Sequence, residues 1–75
     1  MKHEFEQEYK QIGLKIAYYR KLQGYTQESL AEKLGGATSY IGQIETPRMY
    51  KPISLTTLLR IAQALNIPAY KFLDF

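Results

Sequence analysis

Four neighbouring residues carry side chains suited to reading a nucleic acid: Thr38, Ser39, Gly42 and Gln43. Placed on a helix, they lie on the side opposite Ile41 and Ile44, which point inward. They are short, uncharged and able to hydrogen-bond, whereas an ordinary solvated helix face carries Lys and Glu. Gln can bond bidentately to adenine in the major groove, and Ser or Thr can bond several base edges or touch a thymine methyl. Gly42 adds no bulk, so a groove could come close there. A short helix with a small polar face would use the same residues, and the face alone leaves the two readings level.

The residues just upstream supply chemistry for phosphate. Gln27 falls in the first turn of a preceding helix, where free backbone N–H groups and the positive end of the helix dipole favour an anion. Its side chain can bond that phosphate. Thr26 is a good N-cap for the same helix, because its hydroxyl can accept from an orphan N–H. Downstream, Arg48 and Lys51 would follow the DNA backbone from a loop, and the Tyr40 hydroxyl would be free for a phosphate. Glu28 and Glu32 should face away, since a carboxylate repels phosphate.

These residues need two short helices held at a fixed angle. Leu30, Ala31 and Leu34 repeat at helical spacing after Thr26. Gly35-Gly36 stops that helix, because glycine enters the left-handed region without steric cost. A second helix restarts near Thr38 and ends near Glu45, since Pro47 cannot continue it. Helix, glycine turn, helix over residues 26–45 is the form of a helix-turn-helix unit.

The flanking chain supplies the support. Phe5, Tyr9, Ile12, Ile16 and Tyr19 alternate at spacings of four and three, one stripe of a long first helix. That helix is expected from near Glu4 to near Leu22, ended by Gly24, with Phe5 and Tyr9 packed on the core. Ser54 reads as the N-cap of a further helix whose Leu55, Leu58, Leu59, Ile61, Ala62 and Leu65 form a broad apolar face. Asn66 is its expected C-cap and Arg60 a solvated charge on it. Ile67-Pro68 opens a last short helix, Ala69 to about Leu73. The expected fold class is all-α: a compact five-helix domain spanning residues 1–75.

Composition narrows the function. The chain has 75 residues, a formal net charge of +3 and no cysteine. A domain this small buries only about 60% of its unfolded surface, so its stability is marginal. The basic residues outnumber the acids from Lys10 onward, which favours a polyanionic partner. His3 is the only histidine, so no metal site is expected, and no cofactor or small-molecule ligand is evident. No nucleophile–base pair, paired-carboxylate pattern or phosphate-binding glycine loop suggests an enzyme. No apolar run approaches the roughly 20 residues of a membrane span, and the charged start lacks a signal-peptide core. A soluble, cytoplasmic, nucleoid-associated protein is expected.

Taken in order, Ile12-Gly13, Arg20, Gly24-Tyr25-Thr26-Gln27, Leu30-Ala31, Leu34-Gly35, Tyr40-Ile41, Ile44-Glu45, Pro52 and Leu58-Leu59-Arg60-Ile61-Ala62-Gln63-Ala64-Leu65 resemble the phage-repressor (Cro/CI) and xenobiotic-response-element (XRE) helix-turn-helix family. The resemblance runs from about Ile12 to Leu73. It implies a lambda-repressor-like fold, with residues 1–11 an N-terminal extension of the first helix. It implies a repressor-like transcriptional regulator that binds double-stranded DNA as a homodimer on a pseudo-palindromic operator. Thr38, Ser39 and Gln43 would read bases, and Arg20, Thr26, Gln27, Tyr40, Arg48 and Lys51 would hold the backbone. It further implies an ion pair between Arg20 and Glu45 that braces the recognition helix and aims the arginine at a phosphate. Met49, Tyr50, Tyr70, Phe72 and Phe75 are the candidates for a dimer seam. The chain departs from the family at Gly36, where an apolar residue is usual, at Ala37, where Ser or Thr often caps, and at Pro47, where glycine or asparagine is usual. If Thr38 capped the helix instead, its base contact would be lost. These departures keep open an adaptor or antitoxin-like protein-binding module on the same fold.

Overall fold

The computed structural model describes residues 4–48 and 51–75. The readings of His3, Met49 and Tyr50 lie outside them. Four α-helices follow in order: α1 (Glu6–Leu22), α2 (Gln27–Leu34), α3 (Thr38–Glu45) and α4 (Leu55–Leu65). The last expected helix, Ala69 to about Leu73, is a 3-10 helix, Ala69–Phe72, rather than an α-helix, so the described residues hold four α-helices and one 3-10 helix. The reason is length. Between Pro68 and Leu73 the chain closes only short i→i+3 bonds, Lys71 N–H to the Pro68 carbonyl and Leu73 N–H to that of Tyr70, each 3.1 Å. Among the described residues there is no strand, and no helix is long and apolar enough to cross a membrane.

Each helix end has a local cause. Thr26 and Ser29 form a reciprocal capping box at the start of α2. Ser54 accepts from the Thr57 N–H at 3.1 Å to start α4. Gly35 (φ 72°) and Asn66 (φ 58°) are left-handed C-caps, the conformation that frees a chain from a helix. The α1 start differs from expectation. Phe5 is left-handed (φ 59°) and caps a helix that begins at Glu6. Its ring therefore leaves the stripe and is exposed, and only Tyr9 packs against the core.

The core is one cluster fed by every element. It includes Ile12 and Ile16 from α1, Leu30 and Ala31 from α2, Ile41 and Ile44 from α3, and Leu58, Ile61 and Leu65 from α4. Each fully buried Ile, Leu or Phe contributes roughly 1.5–3 kcal/mol relative to exposure. Phe72 is wholly buried, its ring edge-on to Tyr19 with centroids 5.3 Å apart. Phe72 is thus a core residue and is corrected as a dimer-seam candidate: the 3-10 turn points it inward while Tyr70 points out.

Two polar ties lock the helices to one another. Gln23 Nε2 donates to the Leu65 carbonyl at 2.8 Å, joining the ends of α1 and α4. Arg60 Nη2 donates to the Leu34 carbonyl at 2.6 Å. Arg60 is exposed, as expected of a solvated charge, and it also reaches from α4 to the C-terminus of α2, where free carbonyls and the negative dipole end favour a cation.

The weak point is the start of α3. Its N-cap is Ala37, which offers no side-chain acceptor, and Thr38 is the first helical residue rather than the cap. Ala37 already has extended backbone, φ −93° and ψ 140°, as an N-cap requires. Ala37→Ser should therefore stabilise the domain by about 1 kcal/mol, raising its melting temperature by roughly 4–8 °C. Ser54→Ala should cost about as much. Thermal unfolding followed by circular dichroism measures both.

Candidate nucleic-acid interface

The site is built on a buried charge cluster beneath α3. Arg20 and Glu45 are only 6% and 8% exposed. Arg20 Nε donates to Glu45 Oε2 at 2.7 Å, and Nη2 donates to Oε1 at 2.9 Å. This is the bidentate fork that arginine alone supplies. Arg20 Nη1 donates to the Tyr25 carbonyl at 2.8 Å, and Gln27 Nε2 donates to Glu45 Oε1 at 3.0 Å. One carboxylate thereby gathers the end of α1, the loop after it, the start of α2 and the end of α3. A buried pair recovers its desolvation cost only when the remaining polar atoms are satisfied. Here no described buried side-chain nitrogen or oxygen lacks a partner. Glu45 also sits at a helix C-terminus, where a negative charge is unfavourable, so Arg20 offsets two penalties at once.

Three of the five Arg20 N–H donors are spent inside the protein, so the residue braces α3 first, and only the second N–H of Nη1 and of Nη2 is left for a phosphate. Gln27 likewise spends its amide nitrogen on Glu45. Its amide oxygen lies beside Gly42, where an added Cβ would stand 3.5 Å from it. That is ordinary van der Waals contact, so a side chain at Gly42 would touch Gln27 without displacing it.

Gly13 plays a part that residue type alone did not reveal. A Cβ at this position would collide with the Ile44 carbonyl oxygen. The backbones of α1 and α3 cross in direct contact there, about two turns of α1 before the Arg20–Glu45 fork closes the same seam. The available signal was a glycine inside a helix, which costs about 1 kcal/mol unless something requires it.

On the outer side of α3, Thr38 and Ser39 are exposed and Gln43 is half-buried. None of the three donates or accepts in a described side-chain hydrogen bond. Thr46, just past the helix, donates its hydroxyl to the Gly42 carbonyl at 2.6 Å and closes the last turn. Tyr40 is half-buried beside the exposed face, with Lys51 Nζ 5.5 Å from its ring centroid, within cation–π range. Arg48 is exposed in the loop that follows. Thr26 accepts from the Ser29 N–H through its hydroxyl, which keeps that hydroxyl's own proton for an outside acceptor. The structure thus brings Thr38, Ser39, Gln43, Tyr40 and Lys51 to α3 and its flank, and places Thr26 and Gln27 at the start of the helix packed against it. Tyr70 and Phe75 are exposed, on the C-terminal segment.

Removing one partner of a buried, hydrogen-bonded pair strands the other. Arg20→Ala or Glu45→Ala should cost roughly 3–5 kcal/mol. Gly13→Ala should cost about 1–3 kcal/mol or more, by forcing α1 and α3 apart. Urea unfolding of the three variants measures these losses; a change within experimental error for Gly13→Ala would contradict the close approach.

A helix-turn-helix family model matches residues 16–72, well over half of the chain. The HTH-type transcriptional regulator SinR of Bacillus subtilis is 38% identical over 63 residues, 84% of this chain and 56% of SinR. The chain thus spans little more than half of that relative's length. Among solved structures, the restriction-modification controller protein C.AhdI from Aeromonas hydrophila superposes with a TM-score of 0.78 at 29% identity, covering 88% of this chain and 97% of C.AhdI. SinR, described as the master regulator for biofilm formation and solved in complex with DNA, gives a TM-score of 0.74 at 38% identity, over 84% of this chain and 98% of that one. With the family model and these identities in agreement, the chain belongs to the helix-turn-helix family of the XRE and Cro/CI type.

Proposed function

We propose that this chain is a sequence-specific DNA-binding regulator of transcription, acting at the chromosome as a homodimer on a pseudo-palindromic operator. The observation that carries the reading is the exposed, uncharged polar face of α3, held rigid from beneath by the Arg20–Glu45–Gln27 cluster. A helix that must fit a groove needs a fixed angle, and a face that must read bases needs donors and acceptors without fixed charge. The relatives named as transcriptional regulators, one of them solved with DNA, support it.

In this reading the single domain of residues 1–75 inserts α3 in the major groove. Thr38, Ser39 and Gln43 contact base edges. Thr26, Tyr40, Arg48 and Lys51 hold the sugar–phosphate backbone, and Gln27 adds the backbone N–H of the first turn of α2. Two copies would place their recognition helices in successive major grooves about 34–36 Å apart. Exposed Tyr70, Leu73 and Phe75 on the C-terminal segment and exposed Leu59 on α4 supply apolar surface for the seam. The same surface favours the second reading, a protein-binding module with little specific DNA affinity.

Selection from a random duplex library, with oligomeric state read by light scattering in the same buffer, separates the two. A two-fold symmetric motif from a dimer is expected; no enriched motif supports the protein-binding module. Gln43→Ala should relax preference at one base-pair position per half-site by about 1–3 kcal/mol. Lys51→Ala should weaken binding to all sequences alike and lower the salt slope by about 1. A dimer that neutralises roughly 6–10 phosphates should lose about 10³–10⁵-fold in affinity between 50 and 200 mM salt. A salt-independent affinity would overturn the backbone assignments.

A further inference from the structure

The outer face of α1 takes no part in the core, the charge cluster or the α3 surface. Leu14, Tyr18 and Leu22 follow one another at intervals of four and are 49%, 60% and 60% exposed. They form a single apolar ridge along about 12 Å of helix. A shallow, open depression lies on each side of it. One is lined by Gln11, Leu14, Lys15, Tyr18 and Tyr19, the other by Leu14, Ala17, Tyr18, Lys21 and Leu22. Ridges spaced by four, flanked by grooves, are the surface on which helices pack, and the small Ala17 lets a second backbone come close. The Tyr18 ring meets that of Tyr19 edge-on, centroids 5.0 Å apart.

The charge around this ridge selects the occupant. Lys15 and Lys21 border the two depressions, and no acidic side chain lines either of them. From Tyr9 to Leu22 the helix carries no Asp or Glu; Lys10 pairs with Glu6 at 3.3 Å and Arg20 with Glu45, so Lys15 and Lys21 set the charge of this face. A second copy of the same face would set lysine against lysine, so a symmetric dimer through this ridge is disfavoured. We infer that the ridge docks an amphipathic helix of another protein, with apolar residues at i, i+3, i+4 and i+7 and an acidic rim facing Lys15 and Lys21. Gly13 and Arg20 turn toward α3, while Leu14, Tyr18 and Leu22 lie roughly 150° around the helix from them. The partner would therefore bind without touching α3, and the chain could hold DNA and protein together.

The test titrates the isotope-labelled full chain with a synthetic peptide of about 18 residues, long enough to form a helix, made of leucine, alanine and glutamate with the leucines on one face. Amide shifts confined to residues 11–22 are expected. The exposed double variant Tyr18→Ser/Leu22→Ser should bind at least roughly tenfold more weakly with its melting temperature unchanged. Shifts that fall on α2, α3 or the C-terminal segment would overturn the proposal. So would equal binding of the same peptide with lysine in place of glutamate. Stronger perturbation of residues 11–22 by anionic phospholipid vesicles than by the peptide would make the face a membrane contact instead. Dissociation of a dimer by the double variant, seen by light scattering, would make it a self-contact.

Discussion

One buried carboxylate sets the shape of this domain. Glu45 lies at the end of α3, and its two oxygens receive Arg20 from α1 and Gln27 from α2. Apolar packing alone is non-directional, and the short α3, eight residues long, could rock on Ile41 and Ile44 without losing much buried area. Three directional bonds to a single carboxylate remove that freedom. The arrangement is obligatory once formed, because any one of these groups left unpaired in the interior costs more than its bond contributes. Gly13 completes the restraint by letting the α1 and α3 backbones touch where a side chain would hold them apart. The depth and the tilt of α3 are thus controlled from its hidden side.

The exposed side of α3 benefits from this division of labour. Because bracing is done by Arg20, Gln27 and Glu45, the hydroxyls of Thr38 and Ser39 and the Gln43 amide are not drawn into the fold's own bonds. The turn before α3 is looser. Gly36 has no neighbour within 4 Å of where a Cβ would stand, and Ala37 leaves the helix start without a side-chain cap. Arg60 compensates from the other side of the turn by holding the Leu34 carbonyl. α3 is therefore firmly held at its C-terminal end and loosely held at its N-terminal end. Thr38 and Ser39 sit on the looser end and have more scope to adjust to a groove than Gln43.

Short-range chemistry was legible in the residues themselves. Thr26, Ser54, Gly35 and Asn66 cap where expected, since a cap depends on a hydroxyl or a left-handed residue within a few positions of its target. The inward stripe of Ile12, Ile16, Ile41 and Ile44 followed from helical period alone. The family resemblance brought Arg20 and Glu45 together across 25 residues. What was not legible involves a partner from elsewhere in the fold. The bond of exposed Arg60 to the Leu34 carbonyl was not foreseen because its acceptor belongs to α2. The third acceptor of Arg20, the Tyr25 carbonyl, is a loop atom with no sequence signature. Phe72 was placed on the surface because a stretch crowded with Tyr70, Phe72, Leu73 and Phe75 does not say which ring turns inward.

The sequence by itself thus determined where the four α-helices lie and stop, and most of the side of each that is buried, because those depend on period and on caps a few residues away; it did not determine that the last helix is a 3-10 turn. It also determined which residue types were on offer for a groove. Only the tertiary structure decided which of them remain free to meet one. Whether an arginine or a glutamine faces solvent or a buried carboxylate depends on how three helices cross. That crossing is set by a backbone contact at Gly13 and a shared oxygen on Glu45, neither of which a linear pattern can display.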